Sequence, residues 1–428
     1  MQHASAAGSR AWPGLLVGSA ALVAATPVWS TAAYSISLAA LLISWLAAQP
    51  WRAPGWRPPL PFAPAAFAAA LLLATIAAAD RGAAWEEFYS YYPFLLVILA
   101  ADVVRGERDL LRIAACFLIS CGIAAAAATL QGLGLLDWQE SRFRGTVGIF
   151  EYAACMVLAW SLTIWMFLRV RGRLAAAGFF LLSFLFLDAI RLNATRASLV
   201  ALTAAFAVMA IFGLAQWRRL LLLLLPFAVA VPLAMQSEIG ARLLKSEGEI
   251  SLDDPQSQRQ TIWAYAWTLF RDAPWLGAGP GDFTDACASL RDDPRLADYP
   301  RLKHPYKTAH SVPLHLLATS GAVGLAGFLM WAGWTVAHFL RAAYRAPRHA
   351  VPALAAFAAV LAFGATDMSL LNTRISGLLC LTLGLGISAL RLDPSASGTT
   401  RVTPGPVAQR PPVRGLPERS APASAPAR

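Results

Sequence analysis

Five arginines and one histidine occupy the positions from which chemistry could be done. Arg142 and Arg144 precede an apolar run at 147–168, and Arg191 and Arg196 lie between the runs 174–190 and 197–216. Arg259 falls in a long polar connection, 237–309, and His310 stands where that connection enters the next apolar run, 312–340. A guanidinium is permanently charged and presents a planar fork of N–H donors that matches phosphate oxygens. An imidazole, with a reference pKa of about 6.5, accepts a hydroxyl proton near neutral pH. Together they suit a phosphate-bearing anion held beside a general base.

The remaining ionisable residues fit structural roles better. His3 and His349 read as solvated, His338 as interfacial, and His304 as part of a basic stretch with Lys303 and Lys307. His315 follows His310 by five residues, about 140° around a helix, so the two share no face and a metal site is not expected. Glu151 and Asp188 lie at the same depth as the arginines and are placed to pair with them. Asp367 falls within an apolar run, where an ionisable side chain is costly and takes a functional or pairing role. Cys116, Cys121, Cys155, Cys287 and Cys380 form no CxxC, so neither a zinc site nor a structural disulfide is expected.

The elements that must position these residues are membrane spans. The 428 residues are 57% hydrophobic and only 14% charged, with a mean hydropathy of +0.54. That balance excludes a water-soluble globule, a disordered chain and a disulfide scaffold. A span needs about 20 mostly apolar residues. Twelve candidates lie near 13–30, 31–48, 62–79, 87–104, 110–132, 147–168, 174–190, 197–216, 220–236, 312–340, 351–371 and 375–390. The apolar start runs straight into a second apolar stretch, which predicts a retained first span rather than a cleaved signal peptide.

With both termini in the cytoplasm, the inner connections carry Arg10, Arg52, Arg57, Arg105, Arg108, Arg112, Arg169, Arg171, Arg173, Arg218, Arg219, Arg341, Arg345, Arg348 and Arg391. The short outer connections carry Arg81, Arg142, Arg144, Arg191, Arg196 and Arg374. This bias sets the orientation. It also accounts for the net charge of +11 without nucleic acid. The expected organisation is a transmembrane domain over 1–392, with the loop 237–309 between spans nine and ten on the outer face. The Pro-, Ser-, Ala- and Arg-rich segment 393–428 reads as a disordered cytoplasmic tail.

Within the loop, Gln256–Arg271 reads as a helix with Ile262, Ala266, Leu269 and Phe270 on one stripe and Trp263 and Trp267 beside it. It is placed either to lie at the membrane interface or to pack over the bundle. The stretch from Ala273 to Phe283 has glycines at 277, 279 and 281, which predicts a tight, irregular backbone. With no P-loop lysine and no strand context, it does not support nucleotide binding. A folded lid is the favoured reading of the loop.

These residues resemble a pattern shared by bacterial O-antigen ligases, O-antigen polymerases and protein O-oligosaccharyltransferases. Its parts here are Arg144-Gly145-Thr146-Val147-Gly148, Thr195-Arg196-Ala197-Ser198, Arg259 with Trp263, Pro274 to Phe283, His310-Ser311 with Leu314, and Gly321-Ala322-Val323-Gly324. The resemblance covers about residues 140–330. Two departures are Glu151, where many relatives have Asn, and Ser311, where Asn is commoner.

The resemblance implies an all-α polytopic integral membrane protein related to the GT-C glycosyltransferases, in the bacterial inner membrane with its site facing the periplasm. It further implies inverting transfer of a glycan from undecaprenyl pyrophosphate to a sugar of lipid A–core, with neither metal nor other cofactor. His310, Arg196 and Arg259 would be catalytic, and Arg142, Arg144 and Arg191 would hold the pyrophosphate. The nearest alternative is the polymerase, which joins repeat units on the same carrier; a single dominant outer loop favours the ligase. An alternative of another class is a flippase escorting a polyprenyl-phosphate glycan, for which repeat symmetry and helices broken at mid-membrane are expected.

Overall fold

The computed structural model describes residues 4–52, 62–136, 147–193, 195–213, 218–219, 221–222, 255–302, 306–367 and 369–393. Regular structure among these residues is entirely helical. The apolar runs form α1 (Ala4–Ala25), α2 (Thr31–Ala48), α3 (Ala63–Ala77), α4 (Arg81–Ser90), α5 (Leu96–Ala100), α6 (Glu107–Gly132), α7 (Ile149–Arg169), α8 (Arg173–Asn193) and α9 (Arg196–Gly213). The polar connection contributes α10 (Pro255–Asp272) and α11 (Phe283–Ser289). Three long helices follow: α12 (Val312–Arg345), α13 (Pro347–Thr366) and α14 (Thr373–Leu392).

Among the described residues, eight helices, α2, α6 to α9 and α12 to α14, are long and apolar enough to cross a membrane, and α1 and α3 supply shorter apolar helices. This is the architecture of a polytopic membrane protein. The expected span at 87–104 is not one helix: α4 stops at Ser90, a tight turn covers Tyr92–Leu95, and α5 is five residues long. Pro93, inside that turn, has no amide to continue a helical ladder. The span expected at 220–236 and the tail from 394 lie outside the described residues, as does the first part of the loop, to 254.

Burial follows from which faces are apolar. Helices α7 and α14 are apolar nearly all round and are buried on nearly all sides. Helices α2, α6, α8 and α9 instead point Ile36, Ile43, Ile119, Ile123, Leu181 and Ile211 outward. An apolar exterior of this extent suits lipid rather than water. Small residues let the backbones approach: a Cβ on Gly327 of α12 would come within 3.2 Å of the Phe67 Cα in α3. A separate small core joins Ile262, Tyr265, Ala266 and Leu269 of α10 to Phe283 and Cys287 of α11 and to Ala318 of α12. The stripe of α10 therefore packs over the bundle, with Trp267 left exposed.

A chain of contacts sorts the helix termini onto two ends. Asn193, closing α8, donates to the Ile149 carbonyl at the start of α7 (2.9 Å). Glu151 of α7 meets Arg374 at the start of α14. Gly364 near the end of α13 lies against Val312 at the start of α12. Residues 149, 193, 196, 310, 364 and 374 thus share one end. At the other, Trp165 of α7 donates to the Arg348 carbonyl of α13 (3.1 Å), and Arg348 faces Glu107 of α6.

Candidate active site at the His310 end

The backbone around His310 is set by the loop packed over it. His310 has φ +49, in the left-handed region that only a few per cent of non-glycine residues adopt. The indole N–H of Trp263 on α10 donates to the carbonyl of buried Ala309 (3.0 Å). On the other side, the His315 N–H donates to the Ser311 carbonyl (2.9 Å) as α12 begins. His310 is thereby pinned between a loop helix and a span. Its ring stands edge-on to Tyr306, centroids 5.9 Å apart, and its Nδ1 is buried with no hydrogen-bond partner among the described residues.

Arg259 sits one helical turn before Trp263 on α10, so the tryptophan that anchors Ala309 also brings the guanidinium towards His310. Burial, and then the charge of Arg259, hold the His310 pKa below its usual value of 6.5. At neutral pH the imidazole is therefore neutral and free to accept a proton. His315 is a separate, fully packed ring against Phe283, with centroids 5.3 Å apart.

The glycine-rich stretch takes a structural part in this arrangement. Helix α12 is kinked at Gly321 (φ 64, ψ −164). The helical bonds that would run from Ala322 to Ala318 and from Val323 to Thr319 are replaced by bonds to the loop. The carbonyls of Ala318 and Thr319 accept from Ala278 and Gly279 (2.8 and 3.0 Å), and the N–H groups of Ala322 and Val323 donate to Pro274 and Trp275 (2.8 and 3.2 Å). Such close backbone contact leaves no room for side chains. A Cβ on Gly277 would meet the Thr319 carbonyl carbon at 2.4 Å, and one on Gly321 would meet Trp275 at 2.3 Å.

The other arginines are held less directly. Arg196 opens α9, half-buried, beside a buried corner in which the Thr195 hydroxyl donates to the Asn193 side chain. Arg191 donates from Nε to Asp188 (2.8 Å), which also accepts from Thr129 (2.8 Å). Arg142 and Arg144 lie outside the described residues. The structure thus brings Arg259 and His310 together and sets Arg191 and Arg196 at the same end of the bundle.

Arg374 joins this end, although in sequence it reads only as an outer-loop charge. Its guanidinium lies 3.4 Å from Glu151, which also accepts from Asn372 (3.0 Å), and its Nη1 is buried without a partner among the described residues. The signal that marks it is an arginine on the side that topology disfavours. Asp367, expected inside a span, instead caps the end of α13.

Fold and site together define a helical membrane protein with an imidazole and several guanidiniums at one end of the bundle. Residues 181–329 match the family model described as O-antigen ligase, about a third of the chain. The match takes in Arg191, Arg196, Arg259, the glycine-rich stretch, His310 and the kink of α12, and supports membership of the O-antigen ligase and polymerase family. No curated protein matches the chain.

Proposed function

We propose that this protein is an O-antigen ligase of the bacterial inner membrane. In this reading the His310 end faces the periplasm, both termini are cytoplasmic, and residues 1–392 form the catalytic domain. The donor is an O-antigen glycan on undecaprenyl pyrophosphate, and the acceptor is a sugar hydroxyl of lipid A–core. The observation that carries the reading is His310, held at φ +49 by the Trp263–Ala309 hydrogen bond one helical turn from Arg259, at the end that Arg191 and Arg196 share.

His310 accepts the acceptor hydroxyl's proton as that oxygen attacks the anomeric carbon. The bond from this carbon to the pyrophosphate oxygen breaks with inversion, and undecaprenyl pyrophosphate leaves with the electron pair. Arg196 and Arg259, supported by Arg142, Arg144 and Arg191, neutralise the charge growing on the leaving oxygen. Prepositioned cations at a partly dry mouth supply the stabilisation for which other transferases use a divalent metal.

The kink of α12 bears on the transporter alternative. Broken spans in transporters expose backbone groups to a substrate or ion, whereas here the glycine-rich loop takes up those groups. The test is reconstitution with carrier-linked glycan and two competing acceptors. Joining to lipid A–core is the expected result. Joining only to a second carrier-linked repeat makes the protein a polymerase, and movement of substrate without joining makes it a transporter.

A further inference from the structure

Two apolar spaces open at the opposite end of the bundle from His310. One, of about 490 Å³, lies between α6, α7, α13 and α14, with Phe117, Leu162, Leu378 and Leu381 in its walls. A second, of about 910 Å³, lies between α6, α7 and α8, with Leu118, Phe179 and Leu185 in its walls. The two share Glu107, Leu111, Ala114, Met166 and Arg169, so they diverge from one mouth along two sides of α6.

That mouth is cationic. Arg169 lines both spaces, and Arg171 and Arg348 line the first beside it, against the carboxylate of Glu107. Arg348 reaches no nearer than 3.8 Å to Glu107, too far for a hydrogen bond. The Arg169 guanidinium lies over the Trp165 ring at 4.5 Å. Neither Arg169 nor Arg171 forms an ion pair among the described residues.

The geometry points to a binding site for one anionic diacyl phospholipid, its phosphate on Arg169, Arg171 and Arg348 and one acyl chain in each space. Soluble phosphates have no use for walls of leucine and phenylalanine, and a single-tailed polyprenyl phosphate would fill only one of two spaces that meet at one headgroup position. The site is independent of the transfer reaction proposed above. It lies at the other end of the bundle and uses none of its residues.

The test is native mass spectrometry of the full-length, delipidated protein with phosphatidylglycerol, phosphatidylcholine of the same chains, and undecaprenyl phosphate. One phosphatidylglycerol is expected to stay bound when phosphatidylcholine does not. Arg169→Gln with Arg171→Gln should weaken retention by more than about tenfold, since each arginine near a lipid phosphate contributes about fivefold. Ala114→Trp, at the shared wall, should block it, while Arg81→Gln, at the other end, should leave it unchanged. Unfolding midpoints matched to wild type show that the variants are folded; where Ala114→Trp fails that check, the arginine pair decides. Equal retention of both phospholipids, retention unchanged in the arginine pair, or displacement by undecaprenyl phosphate at equal concentration overturns the proposal.

Discussion

His310 and Arg259 form a coupled pair whose effect on pH dependence has a definite sign. In the proposed mechanism His310 works as the neutral imidazole, and both burial and the Arg259 charge disfavour its protonation. Activity should thus persist below pH 6.5, the usual histidine value, and fall only as pH drops through the lowered pKa. Arg259→Gln removes one of the two causes, so the His310 pKa rises and the acid limb of kcat/KM moves to higher pH. An acid limb that stays put in Arg259→Gln would show that the pair is not coupled. The residue types and their flanking spans make the placement of His310, Arg191, Arg196 and Arg259 at one end legible from sequence. The Glu151–Arg374 pair is not, because its partners are 223 positions apart and only the packing of α7 against α14 joins them.

Among the elements, the kinked helix α12 and the glycine-rich loop act as one unit. The alternating glycines predict an irregular backbone, and in the structure that backbone completes the broken hydrogen-bond ladder of a span. No local pattern shows that residues 274–279 and 318–323 meet. Gly321→Ala puts a Cβ at 2.3 Å from Trp275 and forces a non-glycine residue to φ 64. With ψ at −164 this is a backbone region open essentially to glycine alone, which costs about 1–3 kcal/mol for another residue, and the clash adds to it. Thermal unfolding in detergent should therefore shift down by several degrees, a few per kcal/mol. Gly333→Ala, on the same helix with nothing within 4 Å of its Cβ, should unfold as wild type does. Equal midpoints for the two variants would mean that the loop does not brace the kink.

At the scale of the whole molecule, hydropathy marks the helices well because a bilayer demands length and apolarity of each span. It fails at 87–104, where apolar composition hides the turn at Pro93. One end sets Arg259 beside His310 and carries Arg191, Arg196 and Arg374, and the other presents a cationic mouth to apolar spaces. If the arginines do the work of a metal, chelation with EDTA should leave transfer by the purified protein unchanged. A strict loss of activity, restored by a divalent cation, would contradict this.

The most direct test is glycan transfer to lipid A–core by reconstituted wild-type, His310→Ala and Arg196→Ala proteins, each checked for insertion and unfolding midpoint. Loss of a proton acceptor or of a charge-stabilising donor typically costs about 10²–10³-fold in rate. Both variants should therefore insert and fold normally yet transfer at or below about one per cent of the wild-type rate. Wild-type transfer by folded His310→Ala would contradict the account.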